Sequence, residues 1–106
     1  MAKDIVSGYS LPQKYYIDDA CFAADKQAML RRMWHLAGHV SQLTEPGSYF
    51  LFRVAGEELI ILRDREGNVR GYFNVCRHRG SRLCRADSGK QSTISCPYHG
   101  WTYGLD

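Results

Sequence analysis

Two short stretches of similar form decide how this chain of 106 residues folds: Cys76-Arg-His-Arg-Gly80 and Cys96-Pro-Tyr-His-Gly100. Each stretch contributes one thiol and one imidazole, and each directly follows a segment with the composition of a β-strand. Seventeen residues lie between His78 and Cys96, a spacing that suits two loops at the tips of neighbouring hairpins. The sequence therefore predicts one metal centre with four ligands: Cys76, His78, Cys96 and His99.

The donor atoms of these ligands suit two kinds of centre. Thiolates are soft, strong donors of the kind that iron–sulfur clusters need. Replacing two thiolates by two neutral imidazoles on one iron removes negative charge from a [2Fe–2S] cluster and raises its reduction potential. Zinc accepts the same ligand set, but its structural sites usually pair like ligands as C-x2-4-C and H-x3-5-H. Because each loop here mixes a cysteine with a histidine, the spacing favours the [2Fe–2S] cluster, and zinc is the alternative.

The residues around the two loops predict a mainly β protein with antiparallel strands. Aromatic and branched residues are concentrated in three segments ahead of the first loop, and two shorter strands are expected around the second loop. A tight turn is predicted at 55–57, and a second turn at 64–68, where Gly67 and Asn68 can take positive φ. The predicted strands are 49–54, 58–62, 69–75, 93–95 and one that starts near Trp101.

The N-terminal part of the chain predicts an extended arm and one helix. Residues 1–17 have the composition of an arm, and Asp18 is a suitable N-cap for a helix over 19–34. Within that range, apolar residues recur at helical spacing and would form one face. These residues are Phe22, Met29, Leu30, Met33 and Trp34.

Composition indicates a single globular domain and excludes several classes of protein. Hydrophobic residues make up 44% of the chain and charged residues 24%, and the net charge is +3. Because the arginines are spread along the sequence, we expect no nucleic-acid partner. No stretch approaches the length of a membrane span, and the four cysteines do not make a disulfide framework. We therefore expect a cytoplasmic protein with no membrane association.

The segments CRHRG (76–80) and CPYHGWTY (96–103) resemble the N-terminal Rieske domain in the large (alpha) subunit of Rieske non-haem iron oxygenases, which include the ring-hydroxylating oxygenases. The resemblance implies a Rieske-type antiparallel β-sandwich with an N-terminal helix. It divides the chain into an arm and helix at 1–40 and a Rieske [2Fe–2S] domain at 41–106, which would be truncated at its C-terminal strands. The upstream segments that share the resemblance are Met33-Trp34, Gly38-His39, Pro46-Gly-Ser-Tyr49 and Arg63-Asp64.

The resemblance also implies which ligand binds which iron of the cluster. Cys76 and Cys96 would bind one iron through sulfur, and His78 and His99 would bind the other through Nδ1. An electron would pass from a reductase or ferredoxin to this cluster, and from there to a mononuclear iron that activates O2, usually in a neighbouring subunit of a homotrimer. The oxygenase would hydroxylate or demethylate aromatic or quaternary ammonium substrates.

The mononuclear Fe(II) of such oxygenases lies in a separate catalytic domain and is bound by two histidines and a carboxylate. This chain has four histidines, and two of them are assigned to the cluster. The other two, His35 and His39, lack the glutamate of an HExxH motif, because Leu36 occupies its position. We interpret both as packing or capping residues and expect the catalytic iron site to be absent from this chain.

Two other functions remain open at this point. A stand-alone Rieske-type ferredoxin would use the same ligands, although the front helix and the CRHRG loop resemble oxygenase subunits more closely. A zinc-stabilised binding module would present its arginines to an acidic partner. A respiratory Rieske protein is excluded, because Ser81 and Tyr98 stand where its loop-linking disulfide would need cysteines. Cys21 and Cys84 are interpreted as buried or idle thiols.

Overall fold

The computed structural model describes residues 8–106. The chain forms two compact units that divide after His35. The helical elements are α1 (Lys14–Ile17), α2 (Asp19–Asp25), a π-helical turn (Lys26–Leu30) and a 3-10 turn (Val40–Gln42). The strands are β1 (Ser48–Val54), β2 (Glu57–Arg63), β3 (Val69–Phe73), β4 (Ser88–Lys90), β5 (Ile94–Ser95) and β6 (Thr102–Tyr103).

All strand pairs are antiparallel, which confirms the predicted fold class. Four strands form one sheet in the order β3-β2-β1-β4, and β5 and β6 form a second, two-stranded sheet. The five predicted strands are all present. The sequence analysis missed β4, which pairs with the edge of β1 through Gly89 and its two neighbours.

The hairpin between β1 and β2 shows how the local sequence sets the strand register. Val54 pairs with Glu57, so the connecting turn consists of two residues, Ala55 and Gly56. Both have positive φ, at 53° and 79°, which is the backbone of a type I′ turn and matches the twist of the flanking strands. The turn fixes the pairing that places Ile60 and Leu62 on the buried face of β2.

The hydrophobic core lies between the two sheets. Tyr49, Ile60 and Leu62 come from the larger sheet, and Ile94 and Leu105 come from β5 and the segment after β6. Ile60 is completely buried, and Leu62 is 1% exposed. Because this core joins the two sheets, each ligand-bearing loop extends from a strand that is anchored in the same apolar cluster.

The N-terminal unit differs from the prediction. Residues 14–17 are helical where an extended arm was expected, and the helix from Asp19 ends at Leu30 instead of Trp34. Asp18 is the N-cap as predicted, since its carboxylate accepts from the backbone N–H of Ala20 at 2.7 Å. The predicted apolar face is largely exposed, and Trp34 is fully exposed. No helix in the range 8–106 has both the length and the apolar character that crossing a bilayer requires.

Candidate metal centre

The first ligand loop comprises residues 76–81 and follows β3 after two residues. Its backbone is closed by two hydrogen bonds: the N–H of Cys76 donates to the carbonyl of Ser81 at 2.7 Å, and the N–H of Gly80 donates to the carbonyl of Cys76 at 2.8 Å. Gly80 has φ 73°. A side chain at that φ is strained, although the space around the Gly80 Cα is open.

The second ligand loop comprises residues 96–101 and connects β5 with β6. It repeats the same closure: the N–H of Cys96 donates to the carbonyl of Trp101 at 2.7 Å, and the N–H of Gly100 donates to the carbonyl of Cys96 at 3.0 Å. Gly100 has φ 78°, close to that of Gly80. The two loops therefore share one backbone framework, with a cysteine at the first position and a glycine at the fifth.

All four predicted ligand side chains meet where the two loops face each other. The thiol of Cys96 is one of the neighbours that lower the pKa of the Cys76 thiol, after the Tyr103 hydroxyl, and the ring centroids of His78 and His99 are 4.9 Å apart. Both thiols are buried, at 3% and 4% exposure, whereas both imidazoles are exposed. Sulfur is thus paired with sulfur on the inside, and nitrogen with nitrogen on the outside.

This arrangement can be compared with what each metal centre requires. A [2Fe–2S] cluster with two histidines takes two thiolates at one iron and two imidazoles at the other, and like-with-like pairing provides those two ends. A tetrahedral zinc ion needs four donors within about 2.0–2.3 Å of one point. The donor set fits the cluster.

Tyr103 in β6 is part of the site and was missed by the sequence analysis. Its hydroxyl oxygen accepts from the N–H of Arg77 at 3.1 Å and lies 3.3 Å from Sγ of Cys76. Because the phenol oxygen is the acceptor toward Arg77, its own proton is free to point at the sulfur. Hydrogen bonding to Tyr103 lowers the pKa of the Cys76 thiol, and the same contact raises the pKa of Tyr103. One signal in the sequence could have found Tyr103: side chains alternate between the two faces of a strand, and Tyr103 pairs with the buried Ile94.

Aromatic rings cover one side of each imidazole. The indole of Trp101 stacks on His78 with centroids 4.5 Å apart and an interplanar angle of 9°. The Tyr98 ring lies 3.9 Å from that of His99. Trp101 therefore lies directly against His78 while remaining half-exposed.

A second group of residues missed by the sequence analysis closes the base of the first ligand loop. We call Asn74, Glu58 and Arg82 the neck network. Nε and Nη2 of Arg82 donate to the two carboxylate oxygens of Glu58 at 2.6 and 2.9 Å, and the Asn74 amide donates to Glu58 Oε1 at 2.5 Å. The Arg82 bonds, chiefly, lower the pKa of Glu58 to about 2. Arg82 is thus bound within the domain.

The remaining histidines and cysteines have local roles. His39 caps the 3-10 turn by accepting from the N–H of Ser41 at 3.1 Å, and Nε2 of His35 lies 2.5 Å from the carbonyl of Leu30 at the end of the helix. The interpretation of both as capping or packing residues is confirmed. Cys84 is 1% exposed in the core, where burial raises the pKa of its thiol, and Cys21 is half-buried.

The fold and the donor set define a small antiparallel β domain with a paired cysteine–histidine centre on two loops. Residues 33–106 match the Rieske [2Fe–2S] domain. The chain belongs to this family.

Similar proteins include both quaternary ammonium and aromatic oxygenases. The glycine betaine monooxygenase oxygenase subunit of Pseudomonas aeruginosa is 40% identical over 98 residues, which span 92% of this chain and 23% of that protein. A quaternary ammonium Rieske monooxygenase solved in complex with L-carnitine has a TM-score of 0.84 at 38% identity, over 90% of this chain and 27% of that one. Naphthalene 1,2-dioxygenase from Rhodococcus sp. has a TM-score of 0.88 at 34% identity, over 97% of this chain and 23% of that one.

The chain therefore spans about a quarter of the length of the proteins that it matches. Within that quarter the similarity covers the candidate metal centre completely, because the family match includes both ligand loops. The resemblance to oxygenase large subunits is confirmed, and the [2Fe–2S] cofactor is that of the family.

Proposed function

We propose that this chain is the electron-transfer domain of an oxygenase large subunit, with Cys76, His78, Cys96 and His99 as the ligands of its cluster. When bound, the cluster supplies one-electron chemistry, accepting an electron from a reductase or ferredoxin and releasing it to a mononuclear iron outside this chain. The single observation that carries the proposal is the like-with-like pairing of the four side chains, with thiols inside and imidazoles outside.

The exposed imidazoles support a role in electron exchange with a partner. An electron-transfer partner has to come close to one edge of the centre, and the His78–His99 edge is the one that reaches the surface. The thiols of Cys76 and Cys96 lie behind it and are buried away from water. The chain thus combines a protected end that retains the cluster with an accessible end that exchanges electrons.

The substrate class and the assembly are part of the same proposal. The relatives named above act on quaternary ammonium or aromatic compounds, and we propose a substrate from one of these two classes for the full oxygenase. We further propose a homo-oligomer, a trimer, in which the histidine edge of one subunit faces the mononuclear iron of the next. In this assembly, the present chain provides the relay and another domain provides the chemistry on the substrate.

The proposal is tested by the metal content and spectrum of the purified protein. We expect about two irons and two acid-labile sulfides per chain, a red-brown colour, and an EPR signal after reduction by one electron. A zinc-stabilised binding module would be colourless, would contain no sulfide and would be silent in EPR. The absence of sulfide from anaerobically prepared protein would contradict the proposal.

A second measurement separates an oxygenase relay from a stand-alone ferredoxin. The full-length protein, as it is made in its host, is reduced and then mixed with O2 in the presence of a panel of quaternary ammonium and aromatic compounds. In an oxygenase, a substrate of the correct class accelerates reoxidation of the reduced centre and yields an oxygenated product. Reoxidation that is indifferent to every compound would favour the ferredoxin.

A further inference from the structure

The first ligand loop is held at its base by a buried side chain that belongs to neither β3 nor the loop. Asn74 lies one residue beyond β3, two residues before Cys76, and is 2% exposed. Its backbone N–H donates to the carbonyl of Glu58 at 2.9 Å, which keeps the chain aligned with β2 after the strand ends. The side chain then crosses to the segment that leaves the loop.

The Asn74 amide uses its full hydrogen-bonding capacity to join the two ends of the loop. Its Oδ1 accepts from the N–H groups of Leu83 and Cys84 at 3.1 and 2.7 Å. Its Nδ2 donates to the carbonyl of Cys84 at 2.8 Å and to Glu58 at 2.5 Å. Replacing a buried amide that makes all four hydrogen bonds costs stability, because any replacement leaves buried backbone groups without partners.

Arg82 adds a second connection, from the exit of the loop to strand β2. Its guanidinium is bidentate on the Glu58 carboxylate, the geometry that gives the strongest and most directional ion pair, and Glu58 also accepts from Arg53 at 2.7 Å. The exit of the loop is therefore bonded both to its entry, through Asn74, and to strand β2, through Glu58.

The second ligand loop has no comparable closure in the described part of the chain. Its base is the β5–β6 pair of two residues in each strand. The side-chain contacts there are exposed: the hydroxyls of Ser95 and Thr102 are 3.1 Å apart, and the Thr102 hydroxyl donates to the carbonyl of Gly100 at 3.1 Å. Exposed hydrogen bonds of this kind exchange readily with water and contribute little to rigidity.

We propose that Asn74 is a positioning residue that sets the first ligand loop, and with it Cys76 and His78, in its ligand-binding conformation, whereas the second loop adapts. This inference rests on the proposed function, since it assigns the loops to cluster binding. The neck network makes the first loop a preformed half-site. The second loop, with Cys96 and His99, is the half that opens when the cluster enters or leaves.

The test substitutes Asn74→Asp in the cluster-loaded protein. Aspartate keeps the size of asparagine and the oxygen that accepts from Leu83 and Cys84, but it places a second oxygen against the Glu58 carboxylate and the Cys84 carbonyl. Substitutions around a metal ligand set typically reduce metal affinity by about 10- to 100-fold. We expect cluster loss to an iron chelator, followed by its visible absorbance, to be about 10-fold faster than in the wild type. The EPR lines should broaden, because His78 is no longer held in one orientation.

Two control variants separate positioning from general destabilisation. Leu43→Ala removes a fully buried side chain near the far end of β2, where the Leu43 carbonyl accepts from Arg63. It should lower the melting temperature at least as much as Asn74→Asp, while keeping the wild-type EPR line shape and rate of cluster loss. The double variant Asn74→Asp with Glu58→Gln returns an amide donor to the new carboxylate and should recover part of the lost cluster retention.

The outcomes distinguish the inference from the function on which it rests. Cluster loss at the wild-type rate in Asn74→Asp, or equally fast loss in Leu43→Ala, would overturn the positioning role and leave the proposed function intact. A wild type without iron and sulfide would overturn the proposed function. Hydrogen exchange would then still test the inference about the loop: the Leu83 and Cys84 amides should exchange faster in Asn74→Asp, and that of Gly100 should be unchanged.

Discussion

The two ligand loops share one backbone and differ in what holds it. In both, the cysteine N–H donates to the carbonyl five residues ahead, and the glycine N–H donates back to the cysteine carbonyl. The histidine, however, is the third residue of the first loop and the fourth residue of the second. The same framework thus presents its imidazole from two different positions, and the two rings meet at 4.9 Å.

The difference at the base of the loops shows that a ligand loop and its rigidity are separate features of the sequence. Loop closure needs only backbone groups and a glycine at positive φ, and each five-residue motif contains both. Rigidity comes from outside the motif: the first loop has a buried amide and a bidentate ion pair, and the second has a pair of exposed hydroxyls. The following predictions test this comparison, beginning with the largest expected effect.

The largest effect is expected from removing a thiol of the centre. Cys96→Ser should abolish cluster binding, because a serine hydroxyl is a harder and far less acidic donor than a thiol. Iron, sulfide and the EPR signal should all fall to background. The matched control is Cys84→Ala, which removes an equally buried thiol that lies in the core, and it should keep full iron and sulfide content. Loss of the cluster in both variants would mean that general destabilisation explains the result.

A smaller effect is expected when the glycine with positive φ in each loop is replaced by alanine. Gly80→Ala and Gly100→Ala put a Cβ on residues with φ 73° and 78°, at a cost of about 1–2 kcal/mol each. The space is open at both positions, so the strain is in the backbone alone. Both variants should lower the unfolding free energy by similar amounts in a denaturant titration. Cluster loss should accelerate more for Gly100→Ala, because the second loop has no neck network. The reverse order would contradict the comparison.

The features predicted from sequence are those that a short stretch of residues can determine. The four candidate ligands were predicted because cysteine and histidine at close spacing suit a metal centre by their own chemistry, and the strands were found from their aromatic and branched residues. The three-residue strand β4 was missed because Gly89 and its neighbours have no strand propensity; their pairing with β1 is a tertiary effect. The neck network was missed for the same reason, since Glu58 and Asn74 are sixteen residues apart.

The helix shows the opposite error, in which a local pattern was extended too far. Apolar spacing continues to Trp34, but the backbone leaves the helix after Leu30, through a π-helical turn in which the Arg31 N–H donates to the carbonyl of Lys26. Hydrophobic periodicity reports which side chains could share a face. It does not report whether the backbone remains helical, and element ends are the least certain part of such predictions.

Tyr103→Phe should have a moderate effect on the reduction potential, through the Cys76 end of the cluster. The substitution removes the hydroxyl that lies 3.3 Å from Cys76 Sγ and keeps the ring. Hydrogen bonds to sulfur favour the more negative, reduced form of a cluster, so the reduction potential should fall. A net bond of about 0.5–1.5 kcal/mol corresponds to roughly 20–60 mV for one electron. Redox titration followed by EPR measures it, with Tyr98→Phe as the control, and equal potentials for the two variants would show that Tyr103 has no such influence.

The smallest effect is expected from acid, and it concerns the neck network. Hydrogen bonds from Arg82, chiefly, lower the pKa of Glu58 from 4.5 to about 2 in the folded protein. Because the folded value is the lower one, the stabilising contribution is fully present above pH 4.5 and is lost as the pH falls toward 2. The Glu58 side chain is partly exposed, so solvent screening keeps the contribution modest.

Comparison with Glu58→Gln isolates this contribution from other groups that titrate in acid. The glutamine variant should be less stable at neutral pH, since it loses the charge that binds Arg82 and Arg53. As the pH falls from about 4.5 to about 2, the wild type loses the same charge, so the difference between the two urea midpoints should shrink. Parallel curves for the two proteins across this window would mean that Glu58 titrates at its ordinary pKa. The neck network would then depend on the hydrogen bonds of Asn74 alone, and lowering the pH would leave the closure of both ligand loops unchanged.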